Sequence, residues 1–334
     1  MRMLLALLLV MAPAALIAGE VPRSVPLAIE RGLTWLRGQQ QGDGGLGGRH
    51  RTAVTGLATI AHLAAGVTPD LPEHGAAVRR MIGYILAQPD AKGYLGNDGS
   101  RMYGHAIACL AMADAIGTTR DDDLDERLRT ALARALAVTV TAARVAKPDD
   151  QRGGWRYNPD EAGSDVSVTG WQLMSLHAAR RIGMPVPDDV VEAALAYLRS
   201  RIDDQGRIGY TAPGEDRQAM RGLALIALSL QPGPRAPLRD RVLARMRDEP
   251  PAWTGPWFFY RAYYDASGLA RSEPAFWAAY REKLHGLLVA NQAPDGSWPA
   301  PPGDNERENG TAYAVAMAVL ALTVDLRLLP GHQP

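Results

Sequence analysis

The feature that most constrains the fold is a pattern repeated along nearly the whole chain: an amphipathic helix, a turn rich in Gly, Asp and Gln, and a second helix rich in Ala, Leu and Gly. The first unit pairs AIERGLTWLRGQQQ with RTAVTGLATIAHLAAG, and the last pairs FWAAYREKLHGLLVANQ with NGTAYAVAMAVLAL. Self-similarity at a period of about 40 to 60 residues is typical of stacked helical hairpins. The sequence therefore predicts an all-α chain of six hairpins.

The two helices of each unit differ in polarity. The first carries arginines and glutamates on one face, whereas the second is nearly free of charge, as in GLALIALSL and YAVAMAVLAL. A helix that is apolar all round is buried, so the second helices form an inner layer and the first ones an outer layer. This arrangement fits an open superhelix or a closed double ring, and six units favour closure. We predict one α/α toroid (an α6/α6 barrel) over residues 26–324, followed by a tail at 325–334.

The N-terminus has the layout of a secretory signal peptide. Arg2 precedes an apolar run from Leu4 to Ile17, and small residues follow at Ala18 and Gly19. The run is shorter than the roughly 20 residues that a membrane span needs. We expect residues 1–19 to be a cleaved signal, the protein to be periplasmic or secreted, and no membrane span to remain. The alternative is an N-terminal membrane anchor.

The charge and cysteine content exclude several classes of partner. The chain has 36 basic and 36 acidic side chains, so it lacks the positive surface that nucleic acid demands. The single cysteine, Cys109, lies in the apolar pattern AIACLAMA and is predicted to be buried in the core. The seven histidines form no ligand-spaced pair, so we expect neither a metal nor a cofactor.

Two aspartate-rich stretches invite a choice between capping and metal binding. They begin at Asp121 and Asp188, each at the start of a predicted outer helix. Carboxylates at helix starts accept free backbone amides and complement the helix dipole. We interpret both stretches as caps rather than as binding sites for magnesium diphosphate.

The turns of the repeat share a glutamine, an aspartate and a glycine followed by an aromatic residue. In three units they contain Gln88, Asp90, Gly93 and Tyr94; Gln151, Gly154 and Trp155; and Gln292, Asp295, Gly296 and Trp298, with more degenerate versions at Gln41, Asp43 and Gly45 and at Gln205 and Gly206. This pattern resembles the QW-type repeat of the prenyltransferase and squalene oxidase (squalene cyclase-like) superfamily. The resemblance covers residues 26–324 and implies the α/α toroid. We expect the glycine to permit a sharp turn and the aromatic ring to pack on the neighbouring hairpin.

The same resemblance locates a site where related cyclases do chemistry. Their DxDD motif protonates an isoprenoid through its middle aspartate. At the matching position this chain has Asp165, Val166 and Ser167, so only the first aspartate is kept. A serine hydroxyl is far too weak an acid for that step. The resemblance thus implies the fold but disfavours protonation-initiated cyclisation.

The zinc chemistry of the protein prenyltransferase β subunits also fails on residue type. Those single toroids resemble this chain in size and hold zinc through aspartate, cysteine and histidine. Here Ile107 stands two residues before Cys109, where an Asp-x-Cys pair needs an aspartate. We therefore expect no zinc-dependent prenyl transfer.

Polar and aromatic groups near the starts of the inner helices would face one mouth of a closed toroid. Our candidate ligand-binding residues are Tyr103, His105, Trp155, Asp165, Ser167, Thr169, Tyr260, Tyr264, Thr311 and Tyr313. His105 and Asp165 are candidate catalytic residues, since they could act as an acid and base pair if they lie close together. The alternative is that His105 is a core histidine and that Asp165 caps the helix beginning at Val166.

Two functions remain open. Retention of the fold together with loss of the catalytic groups favours an exported, non-catalytic protein that binds a hydrophobic or peptide-like ligand, or a partner protein, in its central cleft. The alternative is an enzyme of unassigned chemistry, terpenoid-processing or carbohydrate-active, that uses Asp165 and His105. A carboxylate of Asp165 that faces a pocket instead of only capping its helix would favour the enzyme.

Overall fold

The computed structural model describes residues 24–230, 236–326 and 328–329. Within them it is built from twelve α-helices: α1 (Ser24–Gly38), α2 (Arg51–Ala64), α3 (Gly75–Leu86), α4 (Arg101–Ala115), α5 (Asp122–Ala143), α6 (Val166–Arg181), α7 (Asp188–Ser200), α8 (Arg221–Ser229), α9 (Ala236–Asp248), α10 (Phe258–Ser272), α11 (Pro274–Ala290) and α12 (Thr311–Thr323). The only extended pairing in this part of the chain is two isolated bridges, one of which joins Trp155 to Asp165. The predicted signal at 1–19 and most of the predicted tail lie outside the described residues.

The helices pair into six hairpins that close into a ring. Each even-numbered helix contacts the next even-numbered one, and α12 contacts α2, so these six helices form the inner ring. The odd-numbered helices pack outside them, and α1 contacts both α11 and α12 across the point of closure. The predicted α/α toroid is confirmed. None of the described helices combines the length and the apolar character needed to cross a membrane.

Small residues let the inner helices approach closely. A Cβ at Gly222 of α8 would lie 2.1 Å from the backbone of Tyr264 in α10, and one at Gly268 would lie 2.3 Å from the Gly222 carbonyl oxygen. Large side chains then fill the centre of the barrel, where the rings of Trp171 and Tyr263 stack with centroids 5.9 Å apart. Cys109 is fully buried in α4, as predicted.

One contact repeats at five of the six joints between hairpins. The glycine of the turn has a positive φ and rests on the backbone of the next outer helix. The pairs are Gly44 on Arg80, Gly93 on Arg134, Gly153 on Ala193, Gly206 on Arg241 and, across the closure, Gly296 on Arg31. In the first and third units the glycine is thus one residue before the Gly45 and Gly154 of the sequence pattern. A side chain at any of these glycines would strike main-chain atoms, which explains why the turn of the repeat requires glycine.

Hydrogen bonds strengthen the same joints. The Arg31 guanidinium donates to the Ala293 carbonyl oxygen at 2.7 Å, and Arg134 donates to the Ala91 carbonyl oxygen at 2.8 Å. The Gln292 amide donates to the Ala28 carbonyl oxygen on the neighbouring hairpin at 2.9 Å. In the first unit the matching bond comes from Gln40, which donates to the Ala77 carbonyl oxygen, and not from Gln41 as the turn pattern suggested.

The turn aromatics bind their own hairpin as well as the neighbouring one. The Trp298 indole donates to the Leu288 carbonyl oxygen of α11 at 2.7 Å, while its ring lies against Gly32 of α1. The Trp155 indole likewise donates to the Thr139 carbonyl oxygen of α5 at 2.9 Å. The expected packing onto the neighbour is therefore only half of their role, because a buried indole N–H also needs an acceptor.

We predict that Gly296→Ala destabilises the ring by about 3 kcal/mol, because the new methyl group combines a left-handed backbone with a backbone clash. Its Cβ would lie 2.4 Å from the Arg31 carbonyl oxygen. The control is Gly286→Ala in α11, where no atom lies within 4 Å of the added Cβ. That change should stabilise the protein by about 0.5–1 kcal/mol. Urea denaturation of both variants tests the pair, and equal stabilities would contradict it.

Candidate functional site at the barrel mouth

All six inner helices begin at the same end of the barrel, because each follows a turn from an outer helix. We call this end the mouth. The third hairpin contributes Asp165, which is the N-cap of α6, since its Oδ1 accepts the Val168 N–H at 2.8 Å. The other oxygen, Oδ2, has no hydrogen-bond partner among the described residues, although the residue is 0% exposed. Asp165 thus caps its helix with one oxygen, while the other oxygen is buried without a hydrogen-bond partner among the described residues.

Tyrosines crowd around this carboxylate. The Tyr103 hydroxyl contacts the Ser167 hydroxyl, and the Tyr103 ring lies 6.2 Å from that of Tyr157. The Tyr157 and Tyr210 hydroxyls are 2.7 Å apart, and the Val166 N–H donates to the Tyr210 carbonyl oxygen at 2.9 Å. Two loops and the inner helix α4 therefore bring tyrosine hydroxyls to one place beside Ser167 of α6.

The opposite side of the mouth carries a second buried carboxylate. Glu306, in the loop before α12, accepts the N–H groups of Phe259 at 2.8 Å and of Tyr260 at 3.2 Å, and so caps α10 from another hairpin. It also accepts the Tyr313 hydroxyl at 2.6 Å. The Tyr260 ring packs on that of Tyr264 with centroids 4.6 Å apart. We name Tyr103, Tyr157, Tyr210, Tyr260, Tyr264 and Tyr313 the tyrosine cluster.

Burial shifts the pKa values of both carboxyls upwards. Desolvation raises the pKa of Asp165 to about 6, against the lowering effect of the Val168 N–H and Arg156. Desolvation raises the pKa of Glu306 to about 7, although the Tyr313 hydroxyl and two backbone amides favour its ionised form. The pKa values of Tyr103 and Tyr260 are also raised, first by burial, so these hydroxyls stay protonated near neutral pH. The mouth combines weakly acidic carboxyls with neutral phenols.

Two contacts of tyrosine hydroxyls are close without being hydrogen bonds of acceptable geometry. Tyr210 lies near enough to Asp165 to influence its pKa, and Tyr260 and Tyr264 influence each other in the same way. Even so, Asp165 Oδ2 and the hydroxyls of Tyr260 and Tyr264 have no hydrogen-bond partner in the described part of the chain. Buried polar groups are normally satisfied, so these atoms mark the mouth as unusual.

Cationic side chains hold the loop that precedes α6. Lys147 donates to the carbonyl oxygens of Gly154 at 2.8 Å and of Gly163 at 3.1 Å, and burial lowers its pKa to about 8. Arg156 extends over the Tyr157 ring, with its guanidinium carbon 4.8 Å from the ring centroid, and its Nε lies 4.0 Å from Asp165 Oδ2. Arg156 thus lies beside the buried carboxylate and keeps part of its own side chain exposed.

The structure brings six of the sequence-derived candidates together at the mouth: Tyr103, Asp165, Ser167, Tyr260, Tyr264 and Tyr313. Their role in binding stays a prediction. The position expected for His105 needs correction. Its Nδ1 accepts the Leu95 N–H at 3.3 Å, and its Nε2 lies 3.1 Å from the Thr139 hydroxyl of α5. It faces the outer helix with both nitrogens occupied, and burial lowers its pKa to about 4. The pairing of His105 with Asp165 has no contact to support it.

Three other candidates also lie away from the tyrosine cluster. Trp155 turns its indole towards α5, and its backbone N–H donates to the Thr169 hydroxyl at 3.0 Å. Both residues therefore hold the turn against the start of α6. Thr311 is exposed at the first position of α12. Helix geometry explains the positions of His105 and Thr311, since each is two residues from a tyrosine of the cluster and therefore faces a different side of its helix.

Sequence reasoning missed Arg156, Tyr157, Tyr210 and Glu306. All four lie in loops, whereas the candidates taken from the sequence, apart from Trp155, lie at or near the starts of inner helices. Tyr157 follows Trp155 by two residues, so the turn pattern itself contained a signal for it. Glu306 had no such signal, because its carboxylate reaches the mouth only when the last hairpin lies beside the fifth.

Backbone strain also concentrates at this end. The only described non-glycine residues with positive φ are His50, Arg101 and Trp257, and each lies at the start of an inner helix. Left-handed geometry costs a bulky residue about 1–3 kcal/mol, and such strain collects at functional sites. In contrast, a surface groove of about 320 Å³ lies between α3 and α5 on the outer face and shares no residue with the mouth.

Comparison with known proteins shows the fold. No protein-family model and no curated protein sequence matches the chain. A solved protein from Actinoplanes is similar over 89% of this chain and 98% of its own, with 18% identity and a TM-score of 0.58. The type II terpene cyclase MstE from Scytonema is similar over 92% of this chain and 99% of its own, with 16% identity and a TM-score of 0.57. A glycosidase variant in complex with glucose is similar over 93% of this chain and 100% of its own, with 13% identity and a TM-score of 0.59. At these identities the likeness establishes the α/α toroid and no particular chemistry.

We predict that Asp165→Asn stabilises the protein at pH 8 but not at pH 4. Asn caps a helix as well as Asp does. The raised pKa of Asp165 means that its contribution is most favourable below its ordinary pKa and is lost as pH rises through about 6. Between pH 4 and pH 8 the free energy of unfolding of the variant should therefore rise by up to about 3 kcal/mol relative to that of the parent.

The matched control is Asp121→Asn at the N-cap of α5. Asp121 accepts the Leu124 N–H in the same way, but this hydrogen bond and Arg79 lower its pKa. Its stabilising contribution is present above its ordinary pKa, so the control should lose stability at pH 8. Denaturation curves at both pH values measure the two variants. If both variants, or neither of them, are more stable than the parent at pH 8, the raised pKa assigned to Asp165 is contradicted.

Proposed function

We propose that this protein binds a hydrophobic or peptide-like ligand at the barrel mouth without catalysing its conversion. The observation that carries the proposal is a buried carboxylate with one unoccupied oxygen, set among tyrosines. Asp165 Oδ2 and the hydroxyls of Tyr260 and Tyr264 are buried and have no hydrogen-bond partner among the described residues. A ligand that fills these bonds and packs on the aromatic rings would remove the cost of leaving them unsatisfied.

Solvent reaches the outer part of the tyrosine cluster. Tyr103, Tyr157, Tyr210 and Tyr313 are only partly buried, whereas Tyr260 and Tyr264 lie deeper. A ligand would meet the partly exposed rings first and the unpartnered hydroxyls behind them. Flat aromatic walls with a few polar groups suit an elongated molecule that is apolar along its length and polar at one end.

Catalysis is the second candidate function, and a specific observation favours it. The raised pKa of Asp165 would let its carboxyl act as an acid or base near neutral pH, and its Oδ2 is available to a ligand. The second carboxylate argues against catalysis, because the oxygens of Glu306 already accept hydrogen bonds from two backbone amides and from the Tyr313 hydroxyl. His105, the other candidate, faces α5. We therefore place binding first.

Binding and stability should separate at Tyr264. The buried hydroxyl of Tyr264 has no hydrogen-bond partner among the described residues. Tyr264→Phe should therefore leave the stability of the protein unchanged or raise it by about 1 kcal/mol, but it should lower the affinity for the ligand. The control is Tyr280→Phe, which removes the hydroxyl that donates to Asp265 Oδ2 at 2.6 Å. That variant should lose about 2 kcal/mol and keep its ligand affinity.

A probe panel gives the measurement. Farnesol, glucose and a short peptide are titrated into the parent and the two variants, with tyrosine and tryptophan fluorescence as the readout and thermal unfolding in parallel. The proposal requires saturable binding of a probe that Tyr264→Phe weakens and Tyr280→Phe does not. No binding of any probe would contradict it, and turnover of a bound probe that Asp165→Asn abolishes would establish catalysis instead.

We propose further that the protein is exported and loses residues 1–19. The charged, apolar and small-residue order of this segment supports export. Protein recovered from the periplasm or medium of an expressing bacterium should begin at Glu20, as measured by intact mass. Recovery of the uncleaved chain from the membrane fraction would support the N-terminal anchor instead.

A further inference from the structure

The chemistry of the ligand follows from the charge at the mouth. Asp165 is 0% exposed and Oδ2 has no hydrogen-bond partner in the described part of the chain. Carboxylate oxygens accept hydrogen bonds and cannot donate them when ionised. The group that completes this site must therefore donate, and a donor that is itself charged makes the strongest such bond.

The tyrosine cluster already accommodates a guanidinium group. The guanidinium carbon of Arg156 lies 4.8 Å from the ring centroid of Tyr157 and 5.9 Å from that of Tyr210. The guanidinium carbon of Arg101 also lies 5.8 Å from the Tyr157 centroid. Aromatic faces attract cations through their quadrupole. The rings around Asp165 are thus arranged to receive positive charge on their faces.

These cations of the chain do not complete the site. Arg156 Nε lies 4.0 Å from Asp165 Oδ2, too far for a hydrogen bond, and 3.6 Å from Glu161 Oε1. Lys147 is occupied by Gly154, Gly163 and Ser164. A partly exposed Arg156 with a second carboxylate beside it can turn towards Glu161 and leave Asp165 to an incoming group.

The second buried carboxylate, Glu306, is partly ionised near neutral pH, because burial raises its pKa to about 7, and its ionised form adds negative charge to the mouth. Glu306 accepts hydrogen bonds from two backbone amides and from Tyr313, and no arginine or lysine of the described residues forms an ion pair with it. Burial raises the pKa of Tyr313, and the charge of Glu306 raises it further. A cation bound beside Glu306 would favour the ionised carboxylate and offset its charge, whereas a neutral ligand would do neither.

We infer that the ligand group held at Asp165 is a cation, a guanidinium or alkylammonium group carried by a small amine or by a side chain of a peptide. This inference rests on the proposed function, since it names the chemistry of the ligand at the same site. The cation would donate to Asp165 Oδ2, lie against the rings of the tyrosine cluster and take the place that Arg156 now occupies.

Matched probes isolate the contribution of charge. n-Butylguanidinium and n-butylurea have nearly the same shape, but only the first is charged. The peptides acetyl-Gly-Arg-Gly-amide and acetyl-Gly-citrulline-Gly-amide form the same contrast on a peptide backbone. Each is titrated into the purified protein by saturation-transfer NMR or calorimetry, together with farnesol and glucose as neutral probes. We expect each cation to bind at least tenfold more tightly than its neutral match.

Two variants assign the preference to the site. Asp165→Asn keeps the helix cap and should reduce the preference for the cation to below about threefold. Arg156→Ala removes the competing guanidinium and should tighten cation binding several-fold. Asp121→Asn, at the N-cap of α5, should change neither the preference for the cation over its neutral match nor the affinity for the cation. Thermal unfolding of each variant shows that it is folded under the conditions of the titration.

The outcomes separate this inference from the proposed function. Neutral probes that bind as tightly as the cations, and lose affinity in Tyr264→Phe, would overturn the inference and leave ligand binding at the mouth in place. A preference for cations that survives in Asp165→Asn would overturn it too. Binding of no probe at all would overturn both. Tighter binding of the arginine peptide than of n-butylguanidinium would identify a peptide as the source of the cation, and equal binding would identify a small amine.

Discussion

The structure depends on a close approach of backbone to backbone where each hairpin meets the next. A turn glycine rests on the main chain of the following outer helix, and at Gly296 an added Cβ would lie 2.4 Å from the Arg31 carbonyl oxygen. Nothing larger than hydrogen fits between such surfaces, so this contact sets the spacing of the hairpins. Arginine and glutamine side chains then bond across the same joint. Because the joint repeats between successive hairpins, the hairpins turn about one axis, and the ring closes where α12 meets α2 and α1 meets α11.

The same geometry brings the polar groups of the mouth together. A carboxylate that caps an inner helix must lie at the start of that helix, and the ring collects all of these starts at one end. Asp165 caps its own helix, but Glu306 caps α10 from a different hairpin. The acids are therefore buried for a structural purpose, and their raised pKa values are the cost of that burial. The unoccupied oxygen of Asp165 is the part of the arrangement that capping does not explain.

Local sequence patterns were sufficient for the fold and for part of the site. The polarity of alternate helices and the glycine of each turn depend on neighbours along the chain, so the toroid was predictable. The capping role of Asp165 was predictable for the same reason. The orientation of His105 was not, because it depends on Leu95 and on Thr139 of another helix. Glu306 and Tyr210 were missed since loops bring them to the mouth from other hairpins, and no periodicity describes a loop.

Closure of the ring has a consequence for the ends of the chain. Helix α1 starts, and α12 ends, at the face opposite the mouth, and the two helices contact each other. The joint between them uses the same glycine, arginine and glutamine contacts as the joints inside the chain. The ring therefore has no natural first hairpin. A circular permutant with its old ends linked and new ends opened between two other hairpins would keep every such joint, and the mouth could be assembled from either order of synthesis.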